Sequence, residues 1–294
     1  MRFFITGATG FIGQATVQEL VQTGHQVLGL ARSNASAVTI AAFGAEFLLG
    51  DLRDHEMLRR AATGCDGVIH LAFNNGDIHG WAEKDRDIVT VFTDALEGSN
   101  KALVVSSVVA VVSSNAVATE ADLPSPDGIG SFRAPSEEAA IQAAGRGIRS
   151  SVIRLPPTVH GSGDQMFLPK LISIAKQTGF SAYVEDGENR WPAVHRLDAA
   201  RLYRLAAERG GPGERFHAVA EGNIPFRAIA QVIGEKLDVP VRAIKASSAP
   251  EQFGWLARFV SMDCPASGSF TQSRLGWRPE APDLLSDLAD GSYF

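Results

Sequence analysis

The amino-acid sequence predicts an α/β fold, in which a doubly wound parallel sheet is followed by a smaller, mixed C-terminal lobe. Two observations carry this prediction. Short segments that are apolar throughout alternate with segments of helical periodicity, which is the pattern of parallel strands buried on both faces and joined by right-handed crossovers. The chain of 294 residues is also long enough for about two domains with a substantial core.

The first predicted strand covers residues 3–6 and ends at a glycine-rich turn. The next segment places apolar side chains on one helical face until Gly24 stops it, and Ser33 and Asn34 then offer caps for an Ala-rich helix that reaches Phe43. The same alternation continues through the first half of the chain. The later strands are predicted over residues 26–31, 46–49, 67–72, 101–107 and 151–155, with further helices over 54–62, 82–96 and 137–144.

The regular alternation of strands and helices ends after Pro156 and Pro157, where we expect the second lobe to begin. We predict helices over residues 167–178, 198–209 and 225–237, and strands over 192–195 and 215–219. Asp198 is expected to cap the helix that it begins. Residues 1–158 and 192–219 are assigned to the sheet domain, and residues 159–191 and 220–294 to the lobe.

Composition excludes several classes of protein. Apolar residues make up 45% and charged residues 20%, which is ordinary for a globular protein and excludes a disordered chain. With 27 Lys and Arg against 33 Asp and Glu, the net charge of −6 offers no basic footprint for nucleic acid or an anionic membrane. Cys65 and Cys264 stand far apart, so we expect neither a disulfide nor a metal site, and a reducing cytoplasm is the expected location.

Three glycines, Gly7, Gly10 and Gly13, follow the first strand at intervals of three and open the first helix. This arrangement lets the backbone approach a pyrophosphate, while the amino end of the helix faces its charge. It is typical of the dinucleotide-binding Rossmann sheet, although a tight turn without a ligand is the alternative. The candidate contacts of the phosphates are Gly7, Thr9, Gly10, Phe11 and Ile12.

The end of the second strand decides which dinucleotide is favoured. An NAD site usually carries a carboxylate there, about 20 residues after the glycines, whereas this chain has Arg32 and Ser33. A guanidinium matches a 2′-phosphate bidentately, and a neighbouring hydroxyl can add a donor. The sequence therefore predicts NADP(H), with NAD(H) as second choice. In the alternative interpretation, Arg32 is only a solvated residue at a strand end.

Eight motifs in order resemble the extended short-chain dehydrogenase/reductase family, also called the NAD-dependent epimerase/dehydratase family. They are TGATGFIG, LARS, GDL, GVIHLAF, VVSS, VIRLPPTVHG, RWPAVHRLDAARLY and LGWRP, and together they span almost the whole chain. The resemblance implies that Asp51 and Leu52 lie near the adenine. It further implies cofactor contacts along the ribose and pyrophosphate from Leu71, Ala72, Phe73 and Ser106, and around the nicotinamide from Leu155, Pro156, Pro157 and Val159.

The chain departs from that family where the resemblance implies a Tyr-x-x-x-Lys pair, on the helix after the fifth strand. Residues 130–137 read GSFRAPSE and contain neither Tyr nor Lys. The Ser or Thr that the family places just beyond the fifth strand falls on Val108, which cannot polarise a carbonyl. These departures resemble the atypical branch of the family.

Two functions of different classes are consistent with these residues. The first is an NADP(H)-dependent oxidoreductase acting on a small carbonyl or alcohol, with Ser107, His160 or Asn74 as its candidate catalytic residues. For Ser107 and His160, purely structural roles at a strand end and in a loop are the alternatives. The second function is a non-catalytic NADP(H) sensor, and an epimerase or dehydratase ranks below both.

We expect a small-molecule substrate, and the second lobe decides whether there is a pocket for it. Aromatic side chains such as Phe167, Trp191, Phe253, Trp255 and Phe259 supply either an apolar pocket or lobe core. Relatives often form a homodimer through helices equivalent to residues 82–96 and 137–144. The resemblance thus also implies a homodimer, although the second of these helices is short.

Overall fold

The computed structural model describes residues 1–73, 78–112, 116–290 and 292–294, with only the backbone of Ile78 and His79. Its strands, in chain order, are β1 Arg2–Thr6, β2 Gln26–Ala31, β3 Glu46–Leu49, β4 Gly67–His70, β5 Ala102–Val108, β6 Arg149–Leu155, β7 Thr158–His160, β8 Ser181–Val184, β9 Arg190–His195, β10 Glu214–His217, β11 Glu221–Pro225 and β12 Val241–Ile244.

The helices cover the sheets and fill the second lobe. They are α1 Phe11–Gln22, α2 Asn34–Ala42, α3 His55–Thr63, α4 Ile78–Leu96, α5 Ala134–Gln142, α6 Phe167–Thr178, α7 Arg196–Arg209, α8 Phe226–Leu237, α9 Ala249–Phe253, α10 Ala257–Val260, α11 Ser269–Leu275 and α12 Leu284–Ala289. The 3-10 turn Ser131–Arg133 leads directly into α5.

Seven parallel strands form the central sheet in the order β10-β6-β5-β4-β1-β2-β3. Side chains of β1 alternate between its two faces. Phe3 and Ile5 join a core with α1 and α7, whereas Phe4 joins a core with α3, α4 and α5. Both faces of the sheet are therefore buried, which confirms the predicted doubly wound fold.

The second lobe is mixed, as predicted. A three-stranded sheet has the order β11-β9-β7, and β8 pairs in parallel with β12. Trp191 of β9 is fully buried in the core of this lobe. The predicted strand at 192–195 is thus part of this small sheet, while α7 packs on α1 and β10 completes the central sheet. The domain boundaries at 158, 191 and 219 stay a prediction.

The expected role of Asp198 as a helix cap is wrong. Helix α7 is capped by His195, whose Nδ1 accepts a hydrogen bond from the Leu197 amide at 3.2 Å. Asp198 lies inside the first turn, and its carboxylate accepts from the amides of Glu280 and Ala281. Asp198 is buried, and these hydrogen bonds connect the C-terminal segment to α7.

Neither a membrane span nor a metal cluster is present in the described part of the chain. None of its helices combines the length and the apolar character that crossing a bilayer requires. Likewise, no group of three or more His, Cys, Asp or Glu side chains among the described residues is arranged to hold a metal ion.

Candidate functional site

The glycine turn between β1 and α1 is built so closely that side chains are excluded. Gly7 has a φ of 71°, and a Cβ added to it would lie 2.7 Å from the amide nitrogen of Ala72. A Cβ on Gly13 would lie only 1.9 Å from the carbonyl oxygen of Gly7. The Gly10 amide donates to that same carbonyl at 2.9 Å. Helix α1 therefore begins directly against the end of the first strand.

The amino end of α1 suits an anion. Its N-cap is Gly10, which has no side chain to offer the first amides, and its first turn contains no acidic residue. Amides in the first turn of a helix have no intrahelical partner, so they are available to a phosphate. The turn and the start of this helix also form part of a cavity wall. The structure thus fits the pyrophosphate of a dinucleotide at this place.

This cavity, which we call the main cavity, has a volume of about 350 Å³ and extends from the glycine turn into the second lobe. Most of the cofactor contacts expected from the sequence line it together. They are Gly7, Gly10, Phe11, Ile12, Leu71, Phe73, Ser106, Leu155, Pro156, Pro157 and Val159. Most of these residues come from the carboxyl ends of neighbouring parallel strands and the loops that follow them, where open α/β sheets bind ligands. Phe11 and Ile12 belong to the first turn of α1, and Val159 belongs to β7.

The far end of the main cavity is apolar. Its wall there includes Phe167, Trp255, Phe259 and Met262. Phe167 packs against Phe259 with ring centroids 5.1 Å apart, and Trp255 packs edge-on against Phe259 at 5.9 Å. Trp255 is nevertheless 61% exposed, so it stands at the rim. Such a wall favours a substrate with an apolar body.

Ser106, Ser107 and Arg133 supply the polar side chains among the described lining of the main cavity. The Ser106 hydroxyl donates to the His70 carbonyl at 2.9 Å and lies 2.8 Å from the hydroxyl of buried Tyr203. The Ser107 hydroxyl donates to Glu137 Oε2 at 2.8 Å. Ser107 therefore has a carboxylate partner behind the wall and is not an isolated strand-end hydroxyl.

Glu137 is the centre of a buried ion cluster. Its Oε1 accepts from Arg154 Nη2 at 2.5 Å and from Arg215 Nε at 2.8 Å, and its side chain is fully buried. Burial would raise the pKa of Glu137, but the hydrogen bonds and charge of Arg154, together with Arg215 and Ser107, hold it below its ordinary value. Glu137 is therefore ionised, and it is a poor proton donor to Ser107 near neutral pH.

A second cavity of about 480 Å³ gathers the residues expected around the adenosine. Arg32, Asp51 and Leu52 line it, together with His55, Trp81 and Lys84. Hydrogen bonds from Arg53 lower the pKa of Asp51, and the nearby charge of Arg32 adds to this effect. The indole Nε1 of Trp81 is buried without a hydrogen-bond partner in the described structure.

Three of the expected cofactor residues line neither cavity. The carbonyl of Thr9 accepts from the Gln14 side chain at 2.9 Å, and the Ala72 amide donates to Thr6 Oγ1 at 3.3 Å. Ser33 is the N-cap of α2, where its hydroxyl oxygen accepts from the Ser36 amide at 3.2 Å. Thr9 and Ala72 thus shape the turn, and Ser33 already has a role in starting a helix.

The structure describes two of the three candidate catalytic residues, Ser107 and His160, and it does not bring these two together in the main cavity. His160 is 1% exposed, its Nδ1 lies 2.7 Å from Asp287 Oδ2 on α12, and burial lowers its pKa. It is absent from the described lining of the main cavity. Asn74 lies outside the described residues. Of the two described candidates, Ser107 reaches the cavity wall and His160 does not.

No tyrosine among the described residues lines the main cavity. Tyr203 is buried beside Ser106, the hydroxyl of Tyr293 contacts the backbone of Gly161, and Tyr183 belongs to β8. Arg133 and Glu137 stand instead at the start of α5, and neither was predicted from the sequence as a functional residue. No local signal in the sequence marks them, because their charged partners, Asp85 for Arg133 and Arg154 and Arg215 for Glu137, lie far away along the chain.

Comparison with known proteins places these features in a family. The NAD dependent epimerase/dehydratase family matches residues 3–218. An uncharacterized protein of Schizosaccharomyces pombe is 44% identical over 298 residues, which cover 100% of both chains.

Two relatives with named activities are more distant. One is a 4-hydroxy-2-methyl-3-oxo-4-farnesyl-3,4-dihydroquinoline-1-oxide ketoreductase of Stigmatella aurantiaca, 28% identical over 90% of this chain and 84% of the relative. The other is a decarboxylating sterol-4-alpha-carboxylate 3-dehydrogenase of Dictyostelium discoideum, 30% identical over 76% of this chain and 73% of the relative.

Among solved structures, the dTDP-glucose 4,6-dehydratase DesIV from Streptomyces venezuelae, with NAD and TYD bound, has a TM-score of 0.80 to this chain. It is 20% identical, and the match covers 99% of this chain and 96% of that one. At this identity the likeness shows the fold alone. With the family match over most of the length, the resemblance expected from the motifs is confirmed, and the chain belongs to the NAD dependent epimerase/dehydratase family.

Proposed function

We propose that this chain is an NADP(H)-dependent oxidoreductase that transfers a hydride to or from the carbonyl or alcohol carbon of a small, largely apolar substrate, without a Tyr/Lys relay. The observation that carries the proposal is the continuous wall of the main cavity, which joins the glycine turn to the apolar end at Phe167 and Phe259. Hydride transfer depends chiefly on holding two reacting carbons together in a site from which water is excluded. One cavity with a phosphate-binding end and an apolar end supports that role.

The preference for NADP(H) rests on the second cavity. Arg32 and Lys84 line it, and Asp51 is already hydrogen-bonded to Arg53 through Nε at 2.7 Å. A carboxylate that is engaged in this way is a weaker acceptor for ribose hydroxyls, whereas the exposed guanidinium of Arg32 suits a phosphate. These charges support an NADP(H) site with Arg32 as its principal phosphate contact.

Calorimetric titration of NADPH and NADH into the wild type and the Arg32→Glu variant tests the cofactor. We expect NADPH to bind the wild type more tightly, and the variant to weaken NADPH by about tenfold or more, the value of one charge-assisted hydrogen-bond pair. Arg60→Glu is the matched control, because Arg60 is an exposed arginine of α3 that lines neither cavity. Equal dissociation constants for both nucleotides in the wild type would contradict the preference.

The substrate class is supported by the apolar end of the main cavity and by the two named relatives, a ketoreductase and a 3-dehydrogenase. The matching experiment measures NADPH oxidation with a series of methyl ketones of increasing chain length, each paired with an analogue that ends in a sulfonate. We expect kcat/KM to rise with chain length for the uncharged series only. A higher value for the sulfonates would overturn the apolar assignment.

A non-catalytic NADP(H) sensor is the second candidate, favoured by the lack of tyrosine in the described cavity wall. Tight NADPH binding without turnover of aldehydes, ketones, keto-esters, enones or quinones would favour the sensor over the oxidoreductase.

A homodimer through α4 and α5 is also part of the proposal. Sedimentation of the purified chain at micromolar concentration tests it.

A further inference from the structure

We propose that Arg133 is the catalytic electrophile of the main cavity, and that it binds the substrate oxygen at which negative charge develops. The inference rests on the proposed function and deepens it, because it names the group that stands in for a proton-donating side chain. Asp85 and His70 are its positioning residues. The location, the environment and the partners of the Arg133 guanidinium each support this role.

Arg133 is located where the cofactor and the substrate are expected to meet. It is the last residue of the 3-10 turn Ser131–Arg133, and α5 follows without a break. Its side chain lines the main cavity together with Ser106 and Ser107, which lie near the carboxyl end of β5, and Phe73, which follows β4. The cation therefore lies at the boundary between the expected cofactor contacts and the apolar end.

The environment gives this cation its strength. Arg133 is 4% exposed, so its charge is screened little by water. The guanidinium carbon lies 4.2 Å from the centroid of the Phe73 ring, and Phe73 lies 5.9 Å from Phe132. A preorganised positive group that is buried in this way stabilises a developing oxyanion more than a solvated one would.

The partners of Arg133 hold it without using all of its donors. Arg133 Nη2 donates to the carbonyl oxygen of Ser106, and Nη1 lies 3.3 Å from Asp85 Oδ2. That pair lacks hydrogen-bond geometry, because both Nη1 and Oδ2 are without a hydrogen-bond partner in the described structure. A small rotation of the guanidinium would let a substrate oxygen take a donor that the protein leaves unused.

A buried chain of polar groups fixes Asp85 behind the arginine. Asp85 Oδ1 lies 3.1 Å from His70 Nε2, and His70 Nδ1 lies 2.6 Å from Thr6 Oγ1. Burial would raise the pKa of Asp85, but the charge of Arg133 and the hydrogen bond from His70 lower it overall. Thr6 directly precedes the glycine turn, so this series of polar contacts connects Arg133 to the start of α1.

In the proposed step, atoms and electrons balance without a further co-reactant. A reduced nicotinamide, when bound, supplies the hydride. In the reduction, the hydride adds to the carbonyl carbon, the π pair of the C=O bond moves to oxygen beside Arg133, and a proton from water completes the hydroxyl. Ketone, NADPH and one proton become alcohol and NADP⁺. Arg133 keeps its own proton, because a guanidinium is not deprotonated in proteins.

The test measures binding of a charge analogue and does not depend on turnover. Octanoate and octanamide are titrated separately into the NADP⁺ complex of the wild type, Arg133→Lys and Arg133→Met, with Arg60→Met as control. We expect the wild type and Arg60→Met to prefer octanoate by about tenfold, Arg133→Lys to keep part of this preference and Arg133→Met to lose it. An unchanged preference in Arg133→Met would overturn the inference.

A second variant guards against a folding defect. Arg133→Met leaves the Asp85 carboxylate buried without its cation, so the double variant Arg133→Met/Asp85→Asn removes both charges. It is expected to bind NADP⁺ like the wild type and to bind octanoate and octanamide equally. If every variant and the wild type fail to bind NADP⁺, the proposed function fails together with the inference. If all of them bind NADP⁺ and the preference for octanoate persists in the double variant, the inference alone fails.

Discussion

A group of buried charged side chains lies at the edge of the central sheet that is formed by β10 and β6. Arg154 of β6 and Glu137 of α5 are both fully buried, and Arg215 of β10 adds a second cation to the same carboxylate. The hydroxyl of Ser107 also donates to this carboxylate, and Arg154 Nη1 lies 3.4 Å from Nε2 of His217. The cluster joins β6, β10 and α5 at one point behind the cavity wall.

Replacing Arg154 tests the energetic weight of this cluster. Arg154→Met leaves Glu137 with Arg215 as its remaining cation, and we expect a loss of about 3–5 kcal/mol in the free energy of unfolding, as for other broken buried pairs. Urea denaturation measures it. Arg60→Met on the surface of α3 is the control and is expected to change stability by less than about 0.5 kcal/mol. A loss in Arg154→Met as small as that of the control would contradict the assignment of a buried, ionised pair.

At the scale of elements, the glycine turn shows how a short segment determines both packing and ligand fit. Gly13 lies inside α1, where glycine ordinarily lowers helix stability. A glycine is required at position 13 because the helix passes so close to the Gly7 carbonyl that a Cβ would clash with it. The same close approach brings the amino end of α1 to the main cavity.

A matched pair of glycine variants tests this turn. Gly13→Ala forces a Cβ to 1.9 Å from the Gly7 oxygen, so we expect loss of measurable NADPH binding by calorimetry and a lower melting temperature. Gly145→Ala is the control, because the Cβ it would add meets no atom within 4 Å from other parts of the described structure. That variant is expected to keep wild-type NADPH binding. Wild-type binding in Gly13→Ala would show that the turn can relax.

The same elements show how far prediction from sequence extends. The strands of the central sheet were predicted because their apolar residues are contiguous, and the glycine turn because its pattern is local. The ion cluster was not, because Glu137 and Arg215 stand 78 residues apart and meet only when β10 joins β6. The small strands β7, β8, β11 and β12 were missed as well, since these short segments mix polar and apolar residues.

At the scale of the whole molecule, buried histidines and the partly buried carboxyl of Asp164 make stability depend on pH in opposite directions. Burial lowers the pKa of His217 to about 4, even though the charge of Glu120 acts to raise it. Burial also lowers the pKa values of His160 and His195. Asp164 has its pKa raised by burial to about 6, despite hydrogen bonds that act to lower it.

The signs follow from proton linkage. A histidine whose pKa is lowered by folding binds protons more readily in the unfolded chain, so its contribution to stability falls as the pH drops from about 6.5 towards its folded value. Asp164 binds its proton more readily when folded, so its contribution rises as the pH falls through 6.

Two variants separate these contributions. As the pH is lowered from 7 to 4.5, the free energy of unfolding of His217→Gln is expected to rise relative to that of the wild type. That of Asp164→Asn is expected to fall relative to the wild type. Urea midpoints of the three proteins at several pH values provide the measurement. Parallel curves for all three proteins would show that neither group titrates differently on folding.

The distribution of the four tryptophans has an optical consequence. Trp191 and Trp277 are fully buried in cores, whereas Trp255 stands at the rim of the main cavity and Trp81 lines the second one. Emission from the two core indoles forms a steady background, and quenching or a wavelength shift arises at the other two. Trp255→Phe and Trp81→Phe would therefore turn the protein into a pair of fluorescent reporters, each recording occupancy of one cavity without an added dye.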